Sequence, residues 1–166
     1  MQDLGVMAMR MNTTTEAVQA FLNKAADILF TDIENALAKL GEECVAKVRN
    51  RSAKESWIDR TGNLRSSIGY AVYDHGRELF KSAFDIVKDG SEGQSTGEDM
   101  IDQLASQYSN VYALVVVAAM NYADFVESLD NKDVLASTEL WARGEIDARI
   151  QHATDHAAKE IEKLEI

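Results

Sequence analysis

The chain has 166 residues, 46% hydrophobic and 27% charged, and a formal charge of −11 from 28 acidic and 17 basic side chains. That length carries one domain with a real core, and the composition is that of an ordinary globular protein. An acidic body repels phosphate backbones. The nearest approach to a basic patch, Arg49, Arg51 and Lys54, has Glu55 and Asp59 among it, so nucleic-acid binding is disfavoured.

Proline is absent, which leaves long helices uninterrupted. The single cysteine, Cys44, excludes an intramolecular disulfide and a thiolate metal cluster, and its place on an apolar helix face reads as a buried thiol. The first residues, MQDLGVMAMRM, carry Asp3 and lack the apolar core of a secretory signal. No stretch reaches transmembrane length, so a soluble protein made in a reducing compartment, with no membrane partner, is expected. Residues 1–12 are expected to be flexible.

Thr13, Thr14 and Thr15 supply N-caps for a first helix, with Glu16 in its first turn. Apolar steps of three and four from Val18 to Val48 predict one long amphipathic helix ending near residues 50–53. Gly41 interrupts it at a cost of ~1 kcal/mol relative to Ala, without breaking the period. Thr61-Gly62-Asn63 signals a turn, and residues 64–68 suit either one helical turn or extended chain. Ile68, Tyr70 and Val72 then alternate with Gly69, Ala71 and Tyr73, predicting a half-buried strand. Asp74-His75-Gly76 reverses it into a hairpin.

Residues 79–87 fit a second, weaker strand or a helix. Residues 88–98, KDGSEGQSTGE, are Gly- and Ser-rich and lack apolar side chains, so an exposed loop is expected. Met100, Ile101, Leu104, Ala105 and Tyr108 repeat at helical spacing. The run from Val111 to Ala119 reads as a strand covered on both faces at the centre of a small sheet. It hands over to a short helix containing Tyr122, Phe125 and Val126, for which Asn121 is the expected cap. Residues 128–133 form a polar turn. Ser137 or Thr138 is expected to cap a last helix whose buried stripe is Leu140, Trp141, Ile146, Ile150, Ala153, Ala157, Ile161 and Leu164. The fold class is therefore α+β: one domain over residues 1–166, a small mostly antiparallel sheet, and long N- and C-terminal helices packed on it.

Catalytic chemistry finds little support. His152 and His156 stand at metal-ligand spacing on one helix face, but the catalytic Glu of a metalloprotease pair is replaced by Ala153, and two solvated histidines are expected. Cys44 and His75 would need a carboxylate to form a nucleophilic set, and Glu42 and Glu43 weaken the thiolate. Gly90, Gly93 and Gly97 lack the lysine and hydroxyl residue of a P-loop. The sequence offers no cofactor, no metal site and no catalytic residue, and the chain reads as a non-enzyme.

Two stretches resemble a known family. Asp59-Arg60-Thr61-Gly62-Asn63-Leu64-Arg65-Ser66-Ser67-Ile68 is similar to the D-x-T-G-x-L-R-x-S-I segment of the tail-completion, or head–tail joining, proteins of tailed bacteriophages. Asn121-Tyr122-Ala123-Asp124-Phe125-Val126-Glu127, after its valine run, resembles the family's strand and Y-A-x-x-V-E helix. Many members continue with Glu-Phe-Gly, where this chain has Glu127-Ser128-Leu129. The resemblance implies a structural virion protein at the head–tail neck, made in the bacterial host and assembled as a homo-oligomeric ring. Portal or adaptor and tail proteins would be its partners, and DNA would pass through without sequence-specific binding. It singles out Asp59, Thr61, Gly62, Leu64, Arg65, Asn121, Tyr122 and Glu127 as fold or interface residues, with Arg65 expected to pair with Asp124 or Glu127. The alternative is an acidic adaptor or inhibitor that covers a basic protein.

Overall fold

A computed structural model describes residues 13–54, 56–129 and 132–165. Residues 1–12, expected to be flexible, lie outside the described residues.

The first helix, α1 (Thr15–Arg49), runs 35 residues, or about 52 Å. Thr14 caps it, its hydroxyl accepting the Ala17 N–H at 3.2 Å. Its buried residues begin only at Leu37 and continue through Leu40, Cys44, Val45 and Val48. Gly41 sits in mid-helix because the Tyr70 ring crosses there: a Cβ would stand 2.3 Å from a ring carbon. A single turn, α2 (Asn63–Ser66), leads into β1 (Ile68–Asp74) and, through His75 and Gly76, into β2 (Arg77–Lys81). Both turn residues have positive φ, 50° and 82°, which makes a mirror-image turn whose twist suits the hairpin. After α3 (Ser91–Leu104) and a 3-10 turn, β3 (Tyr112–Ala118) returns to the sheet, followed by α4 (Ala123–Ser128) and α5 (Ala136–Ile161).

Among the described residues the sheet has the order β2-β1-β3 with both pairings antiparallel, in agreement with the expected α+β class. Alternation along β1 divides the core. Ile68, Tyr70 and Val72 join Leu37, Val45 and Val48 of α1 on one face. Ala71 and Tyr73 meet Phe84 and Ile101 on the other. Tyr73 is fully buried, its hydroxyl donating to the Ile101 carbonyl at 2.6 Å. The last helix runs antiparallel to α1. Trp141 lies under the Lys47 ammonium, Arg149 forks onto Glu43 at 2.7 and 2.9 Å, and His156 meets Asp32 at 2.7 Å.

Several expectations are corrected. The valine run is an edge strand, and β1 is the centre, buried from Ile68 to Tyr73 rather than half-buried. Helices α1 and α3 cover the two faces of β3, and among the described residues no strand lies beyond it, so a doubly covered run does not mark the middle of a sheet. The second strand occupies Arg77–Lys81, and residues 82–90 are irregular. The loop expected at 88–98 is largely α3. Its Gly93 and Gly97 are buried, where a Cβ would lie 1.9 Å from the Asn63 carbonyl and 2.4 Å from the Phe84 ring. Those glycines mark close approach of a helix, which composition alone cannot distinguish from a loop. Leu140 is 76% exposed, although Ala153 and Ala157 of the same predicted stripe are buried.

Candidate functional site

The chain leaves α1 at Asn50 and returns to it through residues 56–65. Asp59 begins the return, its Oδ1 accepting the Gly62 N–H at 3.1 Å. Gly62 adopts φ 89°, and a Cβ would meet the Val87 carbonyl oxygen at 1.8 Å, so only glycine fits. The exposed Thr61 accepts the Asn63 N–H at 3.3 Å, starting the single turn that buries Leu64. The irregular segment 82–90 closes over this turn. Ser66 Oγ accepts the Val87 N–H at 2.8 Å, and Lys88 donates to the Asp59 carbonyl.

Arg65 points from α2 at the C-terminal end of α1. Its guanidinium donates to the carbonyls of Arg49 and, at 3.3 Å, Arg51, lies over the Trp57 ring, and pairs with Asp59 at 3.6 Å. The expected partners Asp124 and Glu127 are not used. Asp124 is exposed on α4, and Glu127 is engaged elsewhere. Its two oxygens accept the N–H groups of Leu135 and Ala136 at 2.9 and 2.7 Å, so this carboxylate caps α5 from a different helix. Ser137 and Thr138, the expected caps, face Arg51 instead.

The two resembling stretches meet. Ser67 Oγ accepts the Ala119 N–H at 3.1 Å, and the Tyr122 phenol reaches Thr61 and the backbone at Leu64. Burial pushes that phenol up, and the Asp59 and Glu92 charges add to it, against the hydrogen bonds to Thr61 and Leu64. Asn121 is exposed and does not cap α4, whose capping position is Tyr122 with no side-chain bond. Glu127 stands apart from the other motif residues, at the α4–α5 junction.

Arg51 was not among the expected site residues, yet it holds the junction. It donates to the Asp133 and Val134 carbonyls at 2.9 and 3.2 Å and to the hydroxyls of Ser137 and Thr138 at 2.7 and 2.5 Å. It also pairs with the Asp133 carboxylate at 2.8 Å. Burial would raise the Asp133 carboxyl, but bonds from Ser137 and Arg51 outweigh it and hold the group below its usual range. The sequence signal was Arg49 and Arg51 in the weak basic patch. Both are consumed internally, with Arg49 forking onto the side chain and carbonyl of Asp85 at 3.0 and 2.7 Å. Just outside this frame Tyr122, Phe125 and Leu129 expose apolar surface, as does Ile58 beside Asp59.

Three segments remote in sequence are thus fastened to one end of α1 by arginine forks, which builds a rigid frame next to an apolar surface. The other candidate groups are ordinary. Burial pushes the Cys44 thiol up, with Glu43 adding. His152 is exposed, His156 is ion-paired to Asp32, and among the described residues no cluster of metal-ligating side chains forms. No helix among the described residues is long and apolar enough to cross a membrane.

No curated protein and no solved structure matches the chain. The family described as "Bacteriophage HK97-gp10, putative tail-component" matches residues 16–128, which takes in α1 through α4, the whole sheet and both motif stretches. Over that span and with this architecture, the chain belongs to the HK97-gp10-like family of bacteriophage tail components.

Proposed function

We propose that the protein is a structural component of the head–tail neck of a tailed phage or prophage, joining the portal or its adaptor to the tail as a homo-oligomeric ring. Family membership over residues 16–128 is the observation that carries this reading. The frame around Arg51 and Arg65 suits it. A protein that works by assembling needs a surface held rigidly, and the buried contacts of Asp59, Gly62, Leu64 and Arg65 hold one. Thr61 and Tyr122 lie at its solvent side and are the motif residues best placed to touch a neighbouring virion protein. The net charge of −11 would line such a ring with a field that lets DNA pass without holding it.

Quantitative mass spectrometry of purified particles from a culture that encodes the chain tests this. A few copies per particle support a ring at the unique vertex. Hundreds would move the protein to the capsid or tail tube, and absence from particles with abundant protein in the lysate would remove the virion role. Reversal of exposed acidic residues to lysine should slow DNA ejection, and unchanged ejection would remove the proposed part played by charge.

A further inference from the structure

The outer edge of β3 is open and faces a trough. Tyr70 directs its backbone toward the β2 side, bonding Ser82 at 2.9 and 3.0 Å, and its cross-strand neighbour is Val116. Ser67 and His75 bond Ala119 and Val111 instead. The alternation of an antiparallel ladder therefore turns the N–H and C=O groups of Leu114 and Val116 away from β1. Among the described residues nothing bonds them. Beside this edge lies a cavity of about 420 Å³, with Leu40 and Cys44 at its floor and Leu135 and Ile146 of the α5 side opposite. An unpaired strand edge along an apolar trough takes an added strand, with backbone bonds for affinity and alternate side chains in the trough.

Residues 4–11, LGVMAMRM, have the pattern for it. Met7, Met9 and Met11 alternate with Ala8 and Arg10 at strand period, and methionine fills irregular apolar space well. Arg10 is the one charge between Asp3 and Glu16, a cation suited to an acidic body, and at the trough it would share Glu139 with Arg143, which pairs with that carboxylate at 2.7 Å. Distance decides which copy supplies the strand. Leu40 stands about 39 Å along α1 from its cap at Thr14. Residues 1–12 fully extended span about 40 Å, all of it used in reaching their own trough.

We infer that residues 4–11 of one copy add as a strand to the outer edge of β3 in a second copy. This rests on the self-assembly reading above and names its interface. The test uses full-length chains carrying Cys44→Ala, checked for a native melt. Chains with Met9→Cys and chains with Ala142→Cys, at the trough, are mixed in a glutathione redox buffer, and disulfide-linked species are read by intact mass. Sedimentation velocity is run on the same samples. The mixed disulfide should exceed that of Met9→Cys with a Ser95→Cys control by roughly tenfold, because docking raises the local thiol concentration. Oligomers without that excess would overturn the strand proposal and leave self-assembly standing. Monomers at every concentration, again without excess, would overturn both. A Met9→Cys/Ala142→Cys chain that closes an intrachain bridge as a monomer would overturn the second-copy assignment. In the native Cys44 background, deleting residues 2–11 should weaken oligomers in sedimentation, and unchanged oligomers would count equally against the proposal.

Discussion

Arg51→Met should be among the most damaging single substitutions outside the apolar core. Methionine keeps the aliphatic stem and removes the guanidinium, which leaves the Val134 carbonyl and two hydroxyls without that donor, the Asp133 carboxylate with only its Ser137 bond and the Asp133 carbonyl with only Ser56. Hydrogen bonds to a charged group are worth about 1.5–3 kcal/mol each, but bonds from one side chain do not add. Breaking a buried ion pair costs about 3–5 kcal/mol. The Arg51 side chain is 13% exposed and that of Asp133 30%, so water replaces part of what is lost. We expect about 2–3 kcal/mol, which for a chain of this size lowers Tm by roughly 5–10 °C. Urea denaturation is the assay, with a lower midpoint at unchanged slope. The sign with pH follows from Asp133, whose folded carboxyl sits below its ordinary 3.8. The ion-pair part of the stabilisation is present above that value and is lost as pH falls through the folded one, so the gap between wild type and Arg51→Met should narrow in acid to what the bonds to carbonyls and hydroxyls contribute. A double-mutant cycle with Asp133→Asn should show coupling of about 1 kcal/mol or more. A loss under about 0.5 kcal/mol, within the range of an ordinary surface substitution, would refute the frame built on Arg51.

Three further outcomes are expected. Glu127→Ala, which uncaps α5, should cost about 1–2 kcal/mol, and Glu127→Gln less, as followed by helical ellipticity and urea midpoint. Tyr73 is pushed by burial, with the Glu78 and Asp102 charges adding, from 10.0 to about 12. Its stabilisation should therefore be full below pH 10.0 and fall as pH rises through about 12, and Tyr73→Phe should flatten that limb in alkaline melts while losing the bond to Ile101. His152→Ala/His156→Ala should leave stability within about 0.5 kcal/mol, since exposed pairs contribute little, and should leave zinc retention in dialysis unchanged.

The long helices were legible because each repeats its apolar residues over many turns, and Thr14 caps α1 from the adjacent position. The hairpin turn was legible because Gly76 follows His75 at the two positions of the turn where φ is positive. What escaped the sequence depends on partners far along the chain. Glu127 caps a helix that begins nine residues later, so no local pattern announces it. The glycines of α3 resemble a loop until the Asn63 backbone and Phe84 ring that require them are in place. At the site, the motif residues were recognised but their partners were not. Arg65 was assigned a carboxylate on α4, and it takes carbonyls at the end of α1 instead.

That choice of partner has an evolutionary consequence. Arg49, Arg51 and Arg65 all donate to main-chain oxygens, at Asp85, Asp133, Val134, Arg49 and Arg51. Every residue type offers the same carbonyl, so Val134, Arg49 and Arg51 accept whatever their side chains, whereas Asp85 and Asp133 also pair through their carboxylates. Relatives should keep arginines at the three donor positions while the residues that accept through the main chain alone diverge, and covariation between those two sides should be weak. These main-chain fastenings would then be among the contacts least visible to any method that looks for paired changes.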